Sequence, residues 1–214
     1  MILRRAPAVK IAPDVHPRVV VIGGAPEPKQ LPLVRGAARS ISRFVDASDV
    51  VIRMNDLKNR RARWIGRKTD WQIMMNGGHP GQRYARKSVA TFFVDRPKAV
   101  LWSAPPISDD WGGLALNAAI LRRQRWEDLP QETFSLKMIA ELRAALDYGD
   151  RKGKPSAGMA AIWWAIHSGR FEGHTIHTLG FGWQGWSGHA FDHEARLAHK
   201  LTEAGKLTPL SIDA

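Results

Sequence analysis

Short β-branched blocks alternate along this chain with helical periods, and each block closes on Gly or Asn. That pattern predicts an α/β fold: a single Rossmann-like domain whose mainly parallel sheet carries helices on both faces. Length supports it, since 214 residues suit one good-sized domain. So does composition: 44% hydrophobic and 24% charged residues are those of an ordinary globular protein, which excludes wholesale disorder.

Residues 1–17 are Pro-rich and basic and read as an irregular lead-in, leaving 18–214 as the domain. Arg18–Ile22 is a buried parallel strand that turns at Gly23-Gly24. Pro26, Pro28 and Pro32 keep the next stretch irregular, and a helical period runs from Leu33 to Val45. Asp49–Arg53 is a second strand, closing on Met54-Asn55, and Trp71–Met75 a third, ending at Asn76-Gly77-Gly78. Ala99–Trp102 makes a fourth, followed by the loop Ala104–Asp110. Helices follow over about Leu114–Arg125 and Leu136–Leu146, then a polar loop, Tyr148–Ser156. Ala157–His167 is so apolar that it must be buried on most sides. Thr175–Leu179 is the last strand, ending at Gly180-Phe181-Gly182, and Phe191–Ala204 the last helix. In such sheets ligands bind outside the carboxyl ends of the strands, so these Gly and Asn turns mark where chemistry should be sought.

The net charge of +12 attracts something anionic: nucleic acid, acidic lipid, or a phosphorylated or carboxylated small molecule. Nine Trp against two Tyr supply core and also rims for sugar or base rings. No run approaches the ~20 apolar residues of a membrane span, and the N-terminal residues lack the continuous apolar stretch of a signal peptide. Cys is absent, which excludes disulfides, thiolate nucleophiles and Cys-based metal sites and favours a reducing cytoplasmic compartment. The basic balance adds peripheral contact with the acidic inner membrane face as an expectation.

Several motifs fail. Gly23-Gly24 is followed by Ala25-Pro26-Glu27-Pro28, so the Gly-x-Gly-x-x-Gly dinucleotide turn is missing. Gly153-Lys154 is followed by Pro155 and is no P-loop, and Gly185–His189 ends in His where a nucleophile elbow needs Gly. Asp109-Asp110 are adjacent and give no Asp-x-Asp metal motif; His189 and His193, four apart, are a weak metal pair. Neither a metal nor a cofactor is expected.

Three segments remain. Val20–Gly24 followed by Arg43–Asn55 and Ile65–Asp70 resembles the large sialylmotif of the animal-type sialyltransferases, glycosyltransferase family 29. Lys154–Ile162, continuing to His177–Gly182, resembles the small motif, and His189-x4-Glu194 the very short one. The resemblance covers about half the chain and implies a fold of the GT-A-variant type. It also implies metal-independent, inverting transfer of sialic acid, or a related acid sugar such as Kdo, from a CMP-sugar to a hydroxyl of a glycan or glycolipid. The family's base is the first residue of the very short motif, here His189. Some positions depart from the family: Gly24 stands where an Asn is usual, and Ala157 where a Thr is. The disulfide is absent, and the six residues between Gly182 and His189 leave no room for the third motif.

The physical reading of the residues supports the resemblance. Ser156-Ala157-Gly158 sits where a loop enters a helix, offering backbone N–H groups and the positive helix end to phosphate or ribose oxygens. Asn55 both donates and accepts, and Phe181, between Gly180 and Gly182, can cover a ring. Trp183 is a candidate wall, with Trp186. His189 suits removal of a hydroxyl proton, because imidazole ordinarily titrates near neutrality. Glu194 is expected to orient this region or cap the final helix. Two alternatives stand beside transfer: a CMP-binding pseudoenzyme, and a nucleic-acid-binding module. The latter rests on Lys58–Lys68, with six basic residues in eleven and an interleaved Trp64; a solvated face or an acceptor-site rim is the better reading of that stripe.

Overall fold

A computed structural model describes residues 17–24, 37–55, 65–87, 95–103, 113–148, 154–183 and 188–210. The chain runs through β1 (Arg18–Ile22), α1 (Ala37–Asp46), β2 (Val50–Met54), β3 (Trp71–Met74), α2 (Gly78–Arg86), β4 (Ala99–Trp102) and α3 (Gly113–Gln124). It continues through β5 (Gln131–Thr133), α4 (Leu136–Leu146), α5 (Ala157–His167), β6 (Thr175–Leu179), α6 (Phe191–Glu203) and β7 (Thr208–Pro209). The strands form one sheet in the order β5-β4-β3-β2-β1-β6-β7, and every neighbouring pair is parallel. The predicted parallel sheet, covered on both faces, is what the chain builds.

Alternation within the strands divides the core. Val19, Val21, Ile52, Met54, Ile73 and Leu101 point to one face, where α4, α5 and α6 pack. Met74, Val100 and Trp102 point to the other, against Tyr84 of α2, Ile120 and Leu121 of α3, and Trp126. α1 covers the same side: its Phe44 meets the His177 ring edge-on at 5.0 Å. α5 is the innermost helix. Its residues 159–165 are all buried, as a helix apolar on every face must be. Ser135 caps α4 by accepting the Met138 N–H at 3.1 Å, and Asp147 ends it in the left-handed region at φ +47°.

A buried arginine ties β2 to the stretch after it. Arg53 has no exposed surface; its Nε donates to the Lys68 carbonyl and Thr69 Oγ1, and a terminal nitrogen donates to the Ile65 and Gly66 carbonyls. Burial brings its pKa down to about 10, with the charges of Asp46 and Asp95 acting the other way. Asp46 accepts the backbone N–H groups of Arg67 and Lys68, and Asp70 accepts that of Val51. Segments 43–55 and 65–70 are therefore one folding unit.

The chain departs from expectation at three elements. α2 begins at Gly78, with Pro80 in its first turn, inside a Gly-rich stretch that reads as a turn. Pro is tolerated there because a first-turn N–H has no partner within the helix. β5 and β7 are short polar edge strands with no apolar alternation to mark them. The start of the first helical period, Leu33–Gly36, lies outside the described residues, as do the Ala104–Asp110 loop, most of the lead-in, and Lys58–Trp64.

Candidate active site

Because all strands are parallel, their carboxyl ends share one edge. β1 has β2 on one side and β6 on the other, so the chain changes its direction of advance across the sheet there, and ligands of such folds bind at that switch. Gly23 ends β1 against β6: its N–H donates to the Leu179 carbonyl at 2.7 Å, and a Cβ in its place would lie 2.3 Å from the Gly180 carbonyl oxygen. Gly24 is exposed, and a Cβ there would meet nothing within 4 Å. Phe181 lies across the seam. Cβ atoms built on Gly23 and Gly158 would come within 3.1 and 2.9 Å of its ring.

Asn55 ends β2 in the left-handed region at φ +46°, which Asn tolerates well. Its side-chain oxygen accepts the Met75 N–H at 2.8 Å, while its own backbone carbonyl accepts from Gln72. The amide oxygen thus holds the end of β3. Met54, just before it, reaches the α5 N-terminus: its Sδ lies 3.6 Å from a Cβ built on Gly158. Asn55 and Ser156 therefore stand at the same end of the sheet.

Ser156 caps α5, accepting the Met159 N–H at 3.1 Å. Its own donors go elsewhere. The Ser156 N–H donates to Glu194 Oε1 at 2.7 Å and its hydroxyl to Oε2 at 2.6 Å. Glu194 is wholly buried, and burial raises its carboxyl above the ordinary value, opposed by these two hydrogen bonds and by the charge of His189. Glu194 thus caps α5, not α6, the final helix to which it belongs. Of the anticipated turn, the N–H groups of Ala157 and Gly158 remain at the positive helix end.

His189 precedes α6. Its Nδ1 lies 2.8 Å from the Lys154 carbonyl, and the Lys154 N–H reaches the Gly188 carbonyl at 3.5 Å. A carbonyl only accepts, so Nδ1 carries a proton, and in the neutral form of the ring Nε2 would hold the lone pair. The ring also packs edge-on against Phe191 at 5.4 Å. Lys154 is two residues before the α5 cap, so His189, Ser156 and Glu194 form one cluster.

Trp183 stands at φ +46°, its ring 5.3 Å from Phe181 and inclined by 32°. The pair borders a cleft of about 300 Å³ between α6 and the β6–β7 edge. Trp186 lies outside the described residues, and Gly182 is exposed. Two contributors escaped the sequence reading. Tyr148 is buried beside Glu194 and His193, its hydroxyl without a hydrogen-bond partner; burial and the Glu194 charge push it up to about 12. Lys154 acts through its backbone carbonyl, which no residue type announces. Among the described residues no group of three His, Asp or Glu could hold a metal ion, and no helix is long and apolar enough to cross a membrane.

A parallel sheet whose switch point lies at β1, with the capped N-terminus of α5 at the same edge, defines an open α/β fold of the Rossmann-like kind. More particularly, the fold is that of sialyltransferases. The sialyltransferase CstII from Campylobacter jejuni, in complex with the substrate analogue CMP-3FNeuAc, matches with a TM-score of 0.56 and 13% identity over 92% of this chain and 81% of that one. CstII with a trisaccharide acceptor and CMP gives 0.55 and 11% over 92% and 82%. The monofunctional α-2,3-sialyltransferase Cst-I from the same organism gives 0.57 and 12% over 93% and 77%. At these identities the likeness is one of fold. No protein-family model and no curated protein sequence matches the chain.

Proposed function

We propose that the protein is a metal-independent, inverting glycosyltransferase that moves sialic acid, or the related acid sugar Kdo, from a CMP-sugar to a glycan or glycolipid hydroxyl. One observation carries this reading: His189 is fixed through Nδ1–H at the same sheet edge as the α5 N-terminus. Nε2 then takes the proton of the acceptor hydroxyl as its oxygen attacks the anomeric carbon. The anomeric C–O bond breaks, and CMP leaves with the electron pair. The N–H groups of Ala157 and Gly158, with the helix dipole, receive phosphate or ribose oxygens. The Asn55 amide and open Gly24 edge face the nucleotide, Gly23 and Gly180 let the two strands close beneath it, and Phe181 and Trp183 wall it. Glu194 positions this machinery through Ser156.

The bacterial sialyltransferases that share the fold support the donor class. The ordered motifs add a kinship with the animal-type family 29. Metal independence rests on the missing Asp-x-Asp and on the lack of carboxylate clusters among the described residues. Contact with acidic lipid is supported by exposed Arg86 and Lys87 at the end of α2 and by Arg122 and Arg123 at the end of α3. Gln124 bonds the Tyr84 and Lys87 carbonyls and so holds those two ends together.

The deciding experiment is mass-spectrometric detection of transfer from CMP-sialic acid and CMP-Kdo, in EDTA, to a panel of glycans. Transfer in EDTA is expected. CMP binding without transfer would leave only the pseudoenzyme, a requirement for manganese would overturn metal independence, and failure of CMP to raise the melting temperature would overturn the whole reading.

A further inference from the structure

A second cleft, of about 130 Å³, lies between the end of α4 and the first turns of α6. None of its lining residues belongs to the proposed nucleotide edge. α6 contributes His193, Arg196 and Lys200, whose spacings of three and four put them on one face of the helix. α4 contributes the turn Ala145–Asp147, with Asp147 in the left-handed region at φ +47°. The lining thus sets three basic side chains against one carboxylate. Arg196 has a carboxylate on its own helix, Asp192, at 3.6 Å, whereas Lys200 makes no ion pair among the described residues. His193 is held in place: its Nδ1 donates to the Leu146 carbonyl at 3.1 Å, and its ring packs edge-on against Tyr148 at 5.6 Å. Nε2 is therefore the nitrogen that a ligand would meet.

We propose that this cleft binds a phosphate group, either as inorganic phosphate or as the end of a small phosphate ester. The inference goes beyond the glycosyltransferase reading and does not need it. The volume is well below the ~300 Å³ at which small-molecule sites begin, which suits a single anionic group. Arg196 and Lys200 offer charge-assisted hydrogen bonds that a dianion uses in full and a monoanion only in part. Nε2 of His193 meets phosphate in either state of the ring, donating as imidazolium or accepting from a protonated phosphate oxygen. A bound anion would bridge α6 to the end of α4 at the residue next to Glu194, which caps α5 through Ser156. Occupancy of the cleft therefore fastens the start of α6, on which that cap depends.

The test uses the full chain, saturated with CMP so that the nucleotide edge is filled. It is titrated at constant ionic strength with inorganic phosphate, glycerol 3-phosphate and acetate, and followed by amide NMR shifts and melting temperature. Phosphate is expected to shift the amides of α6 and to raise the melting temperature, and acetate to do neither. Binding of inorganic phosphate alone assigns the free ion; binding of both phosphates assigns the ester class. Lys200→Gln, at an exposed side chain, should weaken phosphate roughly tenfold while CMP binding and the melting temperature of the phosphate-free protein stay as in the wild type. Adding Arg196→Gln should abolish it. Equal effects of phosphate and acetate would overturn the site, as would phosphate binding that survives the double variant. Phosphate that binds only until CMP is added would overturn it too, since the anion would then belong to the nucleotide edge. Should CMP itself fail to bind, the glycosyltransferase reading falls, and the same titration of the free protein still decides the cleft.

Discussion

His189 is oriented by a backbone carbonyl, and that has kinetic consequences. Replacing it with Ala or Gln should lower the transfer rate by roughly 10²–10⁴ with CMP affinity nearly unchanged, because a base in the proposed role meets the acceptor hydroxyl and not the nucleotide. The loss should fall on kcat and kcat/KM alike, as for an interaction made in the transition state. Steady-state kinetics beside CMP titration check this, and near-normal turnover in a folded variant refutes the assignment. Glu194 gives a pH signature. Its carboxyl is raised above the ordinary 4.5, so the folded state binds the proton more tightly than the unfolded chain. Its contribution to stability is full below pH 4.5 and is lost as pH rises through the folded value. The gap between Glu194→Gln, which does not titrate, and the wild type should therefore shift in favour of Gln as pH rises; denaturant melts across the acid range measure it. Glu194→Ala should cost about 1–3 kcal/mol at neutral pH, since it strands the Ser156 N–H and hydroxyl. The resemblance to the very short motif singled out His189 and Glu194, and both stand beside the start of α5. The partner of Glu194 was not legible, because position on a helix does not say which neighbour, here 38 residues away, the side chain will meet.

Among the elements, strong periods and β-branched blocks were readable to the residue, as α4, α5 and β6 show. Those blocks are buried on a sheet or between helices, where local pattern and tertiary demand agree. α2, β5 and β7 were not legible: their sequences carry Gly, Pro and polar residues, and each forms because a neighbour presents a surface to complete. The ordered segments of the large motif gain a physical meaning here. Arg53 and Asp46 bind the chain twelve to twenty-two residues ahead, so the two segments that carry the resemblance hold one another in place. The seam between β1 and β6 separates two adjacent glycines experimentally. Gly23→Ala drives a methyl into the Gly180 carbonyl and should destabilise by about 1–3 kcal/mol. Gly24→Ala meets open space and should leave the melting temperature unchanged while weakening CMP. Thermal melts with and without nucleotide distinguish the pair. Equal losses of stability at both positions would contradict this packing.

At the scale of the molecule, the net charge of +12 should make any association with anionic vesicles fall steeply with salt. Co-sedimentation with phosphatidylserine vesicles at low and physiological ionic strength measures it, and binding insensitive to salt would argue against the basic helix ends as the contact. The sheet's order bears on how the chain comes off the ribosome. β1 is made first and pairs on one side with β2, yet its other flank waits for β6, about 150 residues later. α5, which covers that half of the sheet, emerges only shortly before. A nascent chain halted near residue 150 should therefore present the unsatisfied N–H and C=O groups of Val19–Ile22 as a sticky hydrophobic margin. Such a truncated chain is expected to aggregate or recruit chaperones, and to recover when the missing C-terminal piece is supplied in trans. The sheet edge proposed to hold the nucleotide, which needs both flanks of β1, is accordingly among the last parts of the protein to come into existence during synthesis.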